Sequence, residues 1–153
     1  MTIEEKLREM GVSLPAAPAP LASYVPAVTA GQLVFTSGQV PLANGQLGWK
    51  GKVGRDVDAE GGYQAARQCA VNCLAVIKAV AGSLDHVGRI VKVTGFVSSA
   101  PGFNDQAKVV NGASDFLLEL FGDAGRHARA AVGVSELPLD APVEVEMVVQ
   151  LRD

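Results

Sequence analysis

The stretch RHARAAVGVSELPLDAPVEVEM, residues 126–147, decides how the rest of the chain is read. Its apolar residues predict two β-strands, about 128–135 and 142–151, joined into a hairpin by a Pro-containing turn. Alternate residues of a strand share a face. Val143, Val145, Met147 and Val149 therefore fall on one side, toward the helices, and Glu144 and Glu146 on the other, roughly 7 Å apart. With Ala130, Val132 and Val134 packing inward, Arg129, Ala131 and Gly133 would lie opposite the helices, beside both carboxylates. One guanidinium and two carboxylates in neighbouring strands are either a site or a solvated face whose surface ion pair contributes little.

The surrounding composition narrows the choice. The chain has 153 residues, 48% hydrophobic and 19% charged, which fits one globular domain with a sizeable core. So sparse a supply of charge hints at oligomerisation. The formal net charge is −3, and Lys and Arg form no cluster longer than a pair, so nucleic acid is not an expected partner. The charged opening MTIEEKLREMG has no apolar signal-peptide core, and no apolar run approaches the roughly 18 to 20 residues of a membrane span. Cys69 and Cys73, at i and i+4 of a predicted helix, read as small buried side chains in a reducing compartment. A cytoplasmic location is the expectation.

Along the chain, Thr2 to Glu5 forms a T-x-x-E capping box, and Ile3, Leu7 and Met10 share a helical face before Gly11. PAAPAP, residues 15–20, is a stiff extended connector. Residues 1–21 are thus a helix and Pro-rich connector preceding a domain at 22–153. Strands are predicted at about 24–29 and 32–37, turning at Ala30-Gly31, with a tight turn at Asn44-Gly45 in the Gly-rich loop that follows. Ala66, Cys69, Ala70, Cys73, Ile77 and Val80 recur at helical spacing between Asp58 and Ala81. GRIVKVTGFVSS reads as a central strand at 88–99. A second helix spans about 104–121, turning Val109, Val110, Ala113, Phe116, Leu117 and Leu120 to the core. The order predicts an α+β fold, a single sheet with both helices packed on one face.

Other motifs carry less. GQLGWKGKVG has the wrong glycine spacing for a P-loop and lacks a hydroxyl after the Lys. His86 and His127 lie far apart and the cysteines have no His nearby, so no metal site is expected. Ser37 sits in TSGQ without a nucleophile elbow. Taken singly, Ser37 and Gly38 signal a strand end, Tyr24 a half-buried aromatic, and Asn111 a polar residue on the outer face of the second helix.

Together these segments resemble the Rid/YjgF family of reactive-intermediate deaminases, also labelled translation inhibitors or L-PSP endoribonucleases. The resemblance is carried by YVPAV at 24, VFTSGQVPL at 34, AARQCAVNCLAVIKAVAG, RIVKVTGFV, VVNGASDFL at 109 and ARAAVGVSELPLDAPVEVE at 128, about residues 22–152 in all. It implies a chorismate-mutase-like fold with a mixed sheet, and a homotrimer with clefts between subunits. The face opposite the helices would then be interface rather than solvent. It further implies that Arg129 grips a substrate carboxylate and that Glu144, fifteen residues on, holds the attacking water. Tyr24, Ser37, Gly38, Asn111 and Ala131 match pocket positions.

The implied chemistry needs no cofactor: an enamine acid such as 2-aminoacrylate tautomerises to an imine, which water hydrolyses to a 2-keto acid and ammonia. Arg129 would hold the carboxylate in a two-bond fork, Glu144 would shuttle the water's proton, and backbone N–H groups near Ala131 would steady developing charge. A non-catalytic carboxylate-binding trimer, acting as a sensor or chaperone, is the alternative; the endoribonuclease role is disfavoured by the acidic balance. Arg129 beside Glu144 favours the enzyme, since a pure carboxylate receptor gains nothing from an adjacent anion. The chain departs from the most studied branch at Ala131, where a Cys is usual, at His127, where Pro is common, and at Ala22-Ser23 before Tyr24. Its extra N-terminal helix could cover a cleft mouth.

Overall fold

A 23-residue helix and a nine-residue strand anchor the core, each for reasons written in its own sequence. In the computed structural model, which describes residues 1–19 and 23–153, the elements run α1 (Ile3–Glu9), β1 (Ala27–Ala30), β2 (Leu33–Thr36), β3 (Leu42–Ala43) and β4 (Gln46–Leu47). They continue with α2 (Ala59–Ala81), β5 (Val87–Ser98), α3 (Gln106–Phe121), β6 (Ala128–Val134) and β7 (Val143–Leu151). Pro20, Leu21 and Ala22, with the end of the Pro-rich connector and the expected boundary at 21/22, lie outside the described residues.

Local chemistry sets the ends. Thr2 closes the expected capping box with Glu5, and Asp58 caps α2 by accepting from the Gly61 amide at 2.7 Å. Gly82 ends α2 at a φ of 84°. Asn44 and Gly45, both at positive φ, make the two-residue turn of the small β3–β4 hairpin. That hairpin's strands were not anticipated, because two residues on each side give alternation nothing to repeat.

The main sheet has the order β1-β2-β7-β5-β6, mixed because β6 runs parallel to β5 while the other pairs are antiparallel. This corrects the expected terminal hairpin. β6 and β7 are consecutive in sequence, yet β5 lies between them. Helices α2 and α3 cover one face, where Val143, Val145, Met147 and Val149 meet Cys69, Cys73, Leu74, Ile77, Phe116 and Leu117 in one buried cluster. They cross closely: a Cβ on Gly112 would lie 1.9 Å from the Tyr63 carbonyl oxygen, so only glycine fits there. Helix α1 joins the same core through Leu7 and is tied to the turn before β5, where Glu4 accepts from the Leu84 amide at 2.9 Å and Asp85 from Ile3 at 2.8 Å.

Both cysteines are buried and free, their thiols directed at the Val143 and Val145 carbonyls. Burial pushes the Cys73 thiol up to about 12 and Cys69 well above its ordinary value, so both stay protonated packing groups. Among the described residues, no helix is long and apolar enough to cross a membrane, and no His, Cys, Asp and Glu cluster could hold a metal ion.

Candidate active site

The sequence-predicted site residues gather in two groups rather than one. Arg129 pairs across the sheet with Val93, whose side chain is buried beneath the helices, and Glu144 pairs with Phe96. Directly paired residues share a face, and positions 93 and 96 differ by an odd number, so Arg129 and Glu144 leave opposite faces. The expectation that both point away from the helices is therefore wrong for Arg129. On edge strand β6 the inner positions belong to Arg129, Ala131 and Gly133, and the bulkier Val132 is exposed. The cause is the nearness of α3: a Cβ on Gly133 would come 2.7 Å from the Gln106 amide, and one on Gly95, opposite Ala131, 2.4 Å from Val110. At 131 and 133 small residues face the helix because nothing larger fits there.

The arginine group is held in place from α3. Arg129 Nη1 donates to Asn111 Oδ1 at 2.7 Å and to Ser114 Oγ at 3.2 Å, and Nη2 donates to the Ala107 carbonyl at 3.4 Å. Residues 107, 111 and 114 stand one turn apart on one helix face. Asn111, expected on an outer face, instead anchors the guanidinium. His127 continues the chain: its Nδ1 meets the Gly125 carbonyl at 2.6 Å and its Nε2 meets Ser114 Oγ at 2.9 Å. A carbonyl only accepts, so Nδ1 carries the proton, and Nε2 takes the Ser114 hydroxyl hydrogen, leaving that oxygen's lone pairs to Arg129. Nε makes no hydrogen bond to the described residues, and that side of the fork suits a carboxylate.

The glutamate group opens into a pocket of about 450 Å³ on the other side, lined among others by Tyr24, Ser37, Gly38 and Glu144. Between the Phe35–Val148 pair and the Gln39–Val145 bridge the chain takes four steps against three on β7, so Ser37 and Gly38 form a bulge. Ser37 Oγ donates to the Val25 carbonyl at 2.7 Å, and Thr36 Oγ1 accepts the Met147 amide at 3.0 Å, which fastens the bulge to both neighbours. Gly38 is there for space: a Cβ would stand 2.9 Å from both Cδ and Oε2 of Glu144, so the carboxylate lies flat on the glycine. Burial, and then the charge of Glu146, pushes the Glu144 carboxyl above its ordinary range. Glu146 itself is exposed on the same face.

Sequence reasoning missed several contributors. Ser114 and His127 carry the arginine's support; the polar stripe of Asn111 and Ser114 on an otherwise apolar helix face was the available signal. Leu139 and the connector residues Pro15, Ala16, Pro18 and Ala19 line the glutamate pocket. It is thus the connector, not helix α1, that reaches the pocket.

Residues 4–151 match the model of the family described as "YjgF/chorismate mutase-like, putative endoribonuclease". The chain belongs to this family. The Trypanosoma cruzi protein TCP17 is 42% identical over 152 residues, 99% of this chain and 95% of that protein. A 2-iminobutanoate/2-iminopropanoate deaminase of Escherichia coli is 38% identical over 136 residues, 89% of this chain and 93% of that enzyme. The crystal structure of protein Atu1372 from Agrobacterium tumefaciens matches with a TM-score of 0.92 at 45% identity, covering 98% of this chain and 92% of that one. The resemblance to the YjgF family read from the motifs thus holds, as does its mixed-sheet α+β fold.

Proposed function

We propose that this YjgF-family chain hydrolyses imine and enamine acids to 2-keto acids and ammonia, in clefts formed between copies of itself. The observation that carries the reading is the split site: an arginine with one open edge on the helix side of the sheet, and an ionisable carboxylate in a pocket on the other. Neither half suffices for the chemistry, and no rearrangement within one sheet brings them together. A second copy can bring its Arg129 to the first copy's Glu144, and a cyclic homotrimer repeats that contact without leaving a half unmatched. The free sheet face supports an interface, because Val28, Phe35 and Val132 are all more than two-fifths exposed on it. The deaminase named among the relatives gives the reaction class.

In the proposed cleft, Arg129 of one subunit holds the substrate carboxylate while Tyr24, Ser37 and Gly38 of the other shape the pocket floor. Glu144 accepts a proton from water as its oxygen bonds to the imine carbon and returns it to nitrogen, giving a carbinolamine; it then takes the hydroxyl proton and passes it to the same nitrogen as the C–N bond breaks. Ammonia leaves and the carbonyl forms. The raised proton affinity of Glu144 favours this exchange over a carboxylate that never takes a proton.

Mixing two impaired variants, assayed well below KM, tests the arrangement. Arg129→Ala and Glu144→Gln subunits, dissociated and reassembled together, restore activity in roughly a quarter of the clefts if each cleft takes one residue from each of two subunits. No recovery in mixed oligomers, or a monomer by light scattering at micromolar concentration, would overturn the shared cleft. A carboxylate-binding trimer without turnover would show product-acid binding and no ammonia release.

A further inference from the structure

The pocket beside Glu144 is far larger than a three-carbon imino acid fills. Its volume of about 450 Å³ falls in the range, roughly 300 to 1,000 Å³, of sites that take much larger ligands. Two of its polar side chains, Asn72 and Ser37, are committed elsewhere. Asn72, on its inner wall, spends its amide on the Val40 and Leu42 carbonyls, 2.9 Å each, and accepts from Gln68. Ser37 gives its hydrogen to Val25. Beyond Glu144, much of the lining is apolar: Pro15, Pro18, Leu42, Ala75, Pro138 and Leu139.

Two features make that apolar wall more than leftover surface. Leu139 is 64% exposed, and its φ of 63° followed by 59° at Asp140 sets two successive non-glycine residues in the left-handed region. Such a conformation persists only where the surroundings impose it; here the Asp140 carbonyl accepts the Gly51 amide at 2.8 Å and Pro138 accepts from Ala141 at 3.1 Å. The turn presents a large aliphatic side chain to the pocket and to solvent, the costly choice if nothing apolar ever lands there. Pro15 and Pro18 of the connector line the same pocket, a stiff surface that loses little freedom when a ligand packs against it.

We propose that Leu139 and connector residues 15–19 form a side-chain subsite that selects 2-imino acids carrying long, branched or aromatic apolar side chains. This rests on the deaminase reading and adds its substrate class. Glu144 and a neighbouring subunit's Arg129 handle the imine and carboxylate, which all such acids share, and the connector reads the part that varies.

The test measures kcat/KM for imines generated in place from alanine, leucine and phenylalanine. Each buried methylene contributes about fourfold, so the isobutyl and benzyl substrates should exceed the methyl one by about tenfold or more. Leu139→Gly, which suits the backbone and should fold without penalty, is expected to cut that ratio about tenfold; Ala16→Trp, on the exposed connector, should cut it by filling the space. Melting curves confirm that both variants fold. Equal or better use of the methyl substrate, or variants that leave the ratio untouched, would overturn the subsite. No hydrolysis of any member would overturn the deaminase reading instead. The subsite is then judged by calorimetric binding of product acids, where equal affinity for 2-oxopropanoate and 4-methyl-2-oxopentanoate counts against it and tighter binding of the latter supports it.

Discussion

The arginine half and the glutamate half of the candidate site are built on opposite plans. Arg129 is tied at three points to consecutive turns of α3, with His127 fixing the serine that helps hold it. Glu144 lies on a bare glycine, half-buried, with burial and a like charge working against its ionised form. On the proposed reading, the first receives an anion whose position must not vary. On the same reading, the second takes the proton, in a setting that makes its charge costly. Preorganisation suits binding, and a raised proton affinity suits exchange. The difference between the halves therefore supports the proposed division of roles more than either half alone.

The largest expected effect breaks the glutamate half. Glu144→Gln keeps shape and removes the proton acceptor, so turnover of an imine substrate should fall roughly 10²- to 10⁴-fold while affinity for the product acid is retained. Single-turnover ammonia release, alongside calorimetric binding, separates the two quantities. Glu144→Gln with undiminished turnover, and Glu146→Gln without it, would move the role to Glu146. Next comes the arginine half, where the pattern reverses. Arg129→Ala should cost about 1.5 to 3 kcal/mol of carboxylate affinity with little loss of fold, and Arg129→Lys should remain impaired, since an ammonium cannot offer the planar two-bond edge. If Arg129→Ala unfolds the protein while residual folded material stays active, the residue is a tie between β6 and α3 and no more.

A smaller effect tests what holds the carboxylate in place. Gly38→Ala sets a methyl 2.9 Å from the Glu144 carboxyl, so the side chain must swing away. Since a displacement of an ångström at a reacting group costs up to about 10²-fold, a loss on the order of tenfold in kcat is expected, with KM and melting temperature nearly unchanged. A fall in stability without a fall in kcat would mark Gly38 as a packing residue.

The two halves also differ in how legible they were. Alternation along β7 placed Val143, Val145 and Met147 inside and Glu144 outside, because a strand flanked on both edges and covered on one face writes its burial directly into its sequence. The cap at Thr2 and the Asn44-Gly45 turn were legible for the same local reason. β6 was read upside down. Its inner positions hold Ala131 and Gly133 because α3 passes too close there for anything bulky, and Arg129 because α3 offers it hydrogen-bond acceptors; periodicity cannot distinguish a small residue forced inward from one left outside. Strand order was equally hidden: residues 128–151 contain nothing to say that β5 separates β6 from β7. The connector's place against the pocket followed from no local pattern, since Pro and Ala residues read the same lining a cavity or crossing open surface.

The smallest expected effect asks whether the halves meet. Because the Glu144 carboxyl holds its proton more strongly in the folded chain than its ordinary 4.5, folding favours the protonated form. Below that ordinary value both folded and unfolded chains are protonated and the burial costs nothing. As pH rises through the raised folded value, the ionised carboxylate must be kept half-buried beside Glu146, and stability is lost. Glu144→Gln removes that loss, so it should be more stable than the native chain at pH 7 and converge with it toward acid. The gain should stay below about 1 kcal/mol, because a half-exposed carboxylate is well screened. In an assembled cleft, Arg129 from a neighbouring subunit would offset part of the cost. The gain should then be larger in an Arg129→Ala background than in the native one, a coupling that denaturant titrations of the four proteins at pH 4 and pH 7 would expose. Identical gains in both backgrounds would mean that the guanidinium and the carboxylate never face each other, and that the two halves serve separate sites.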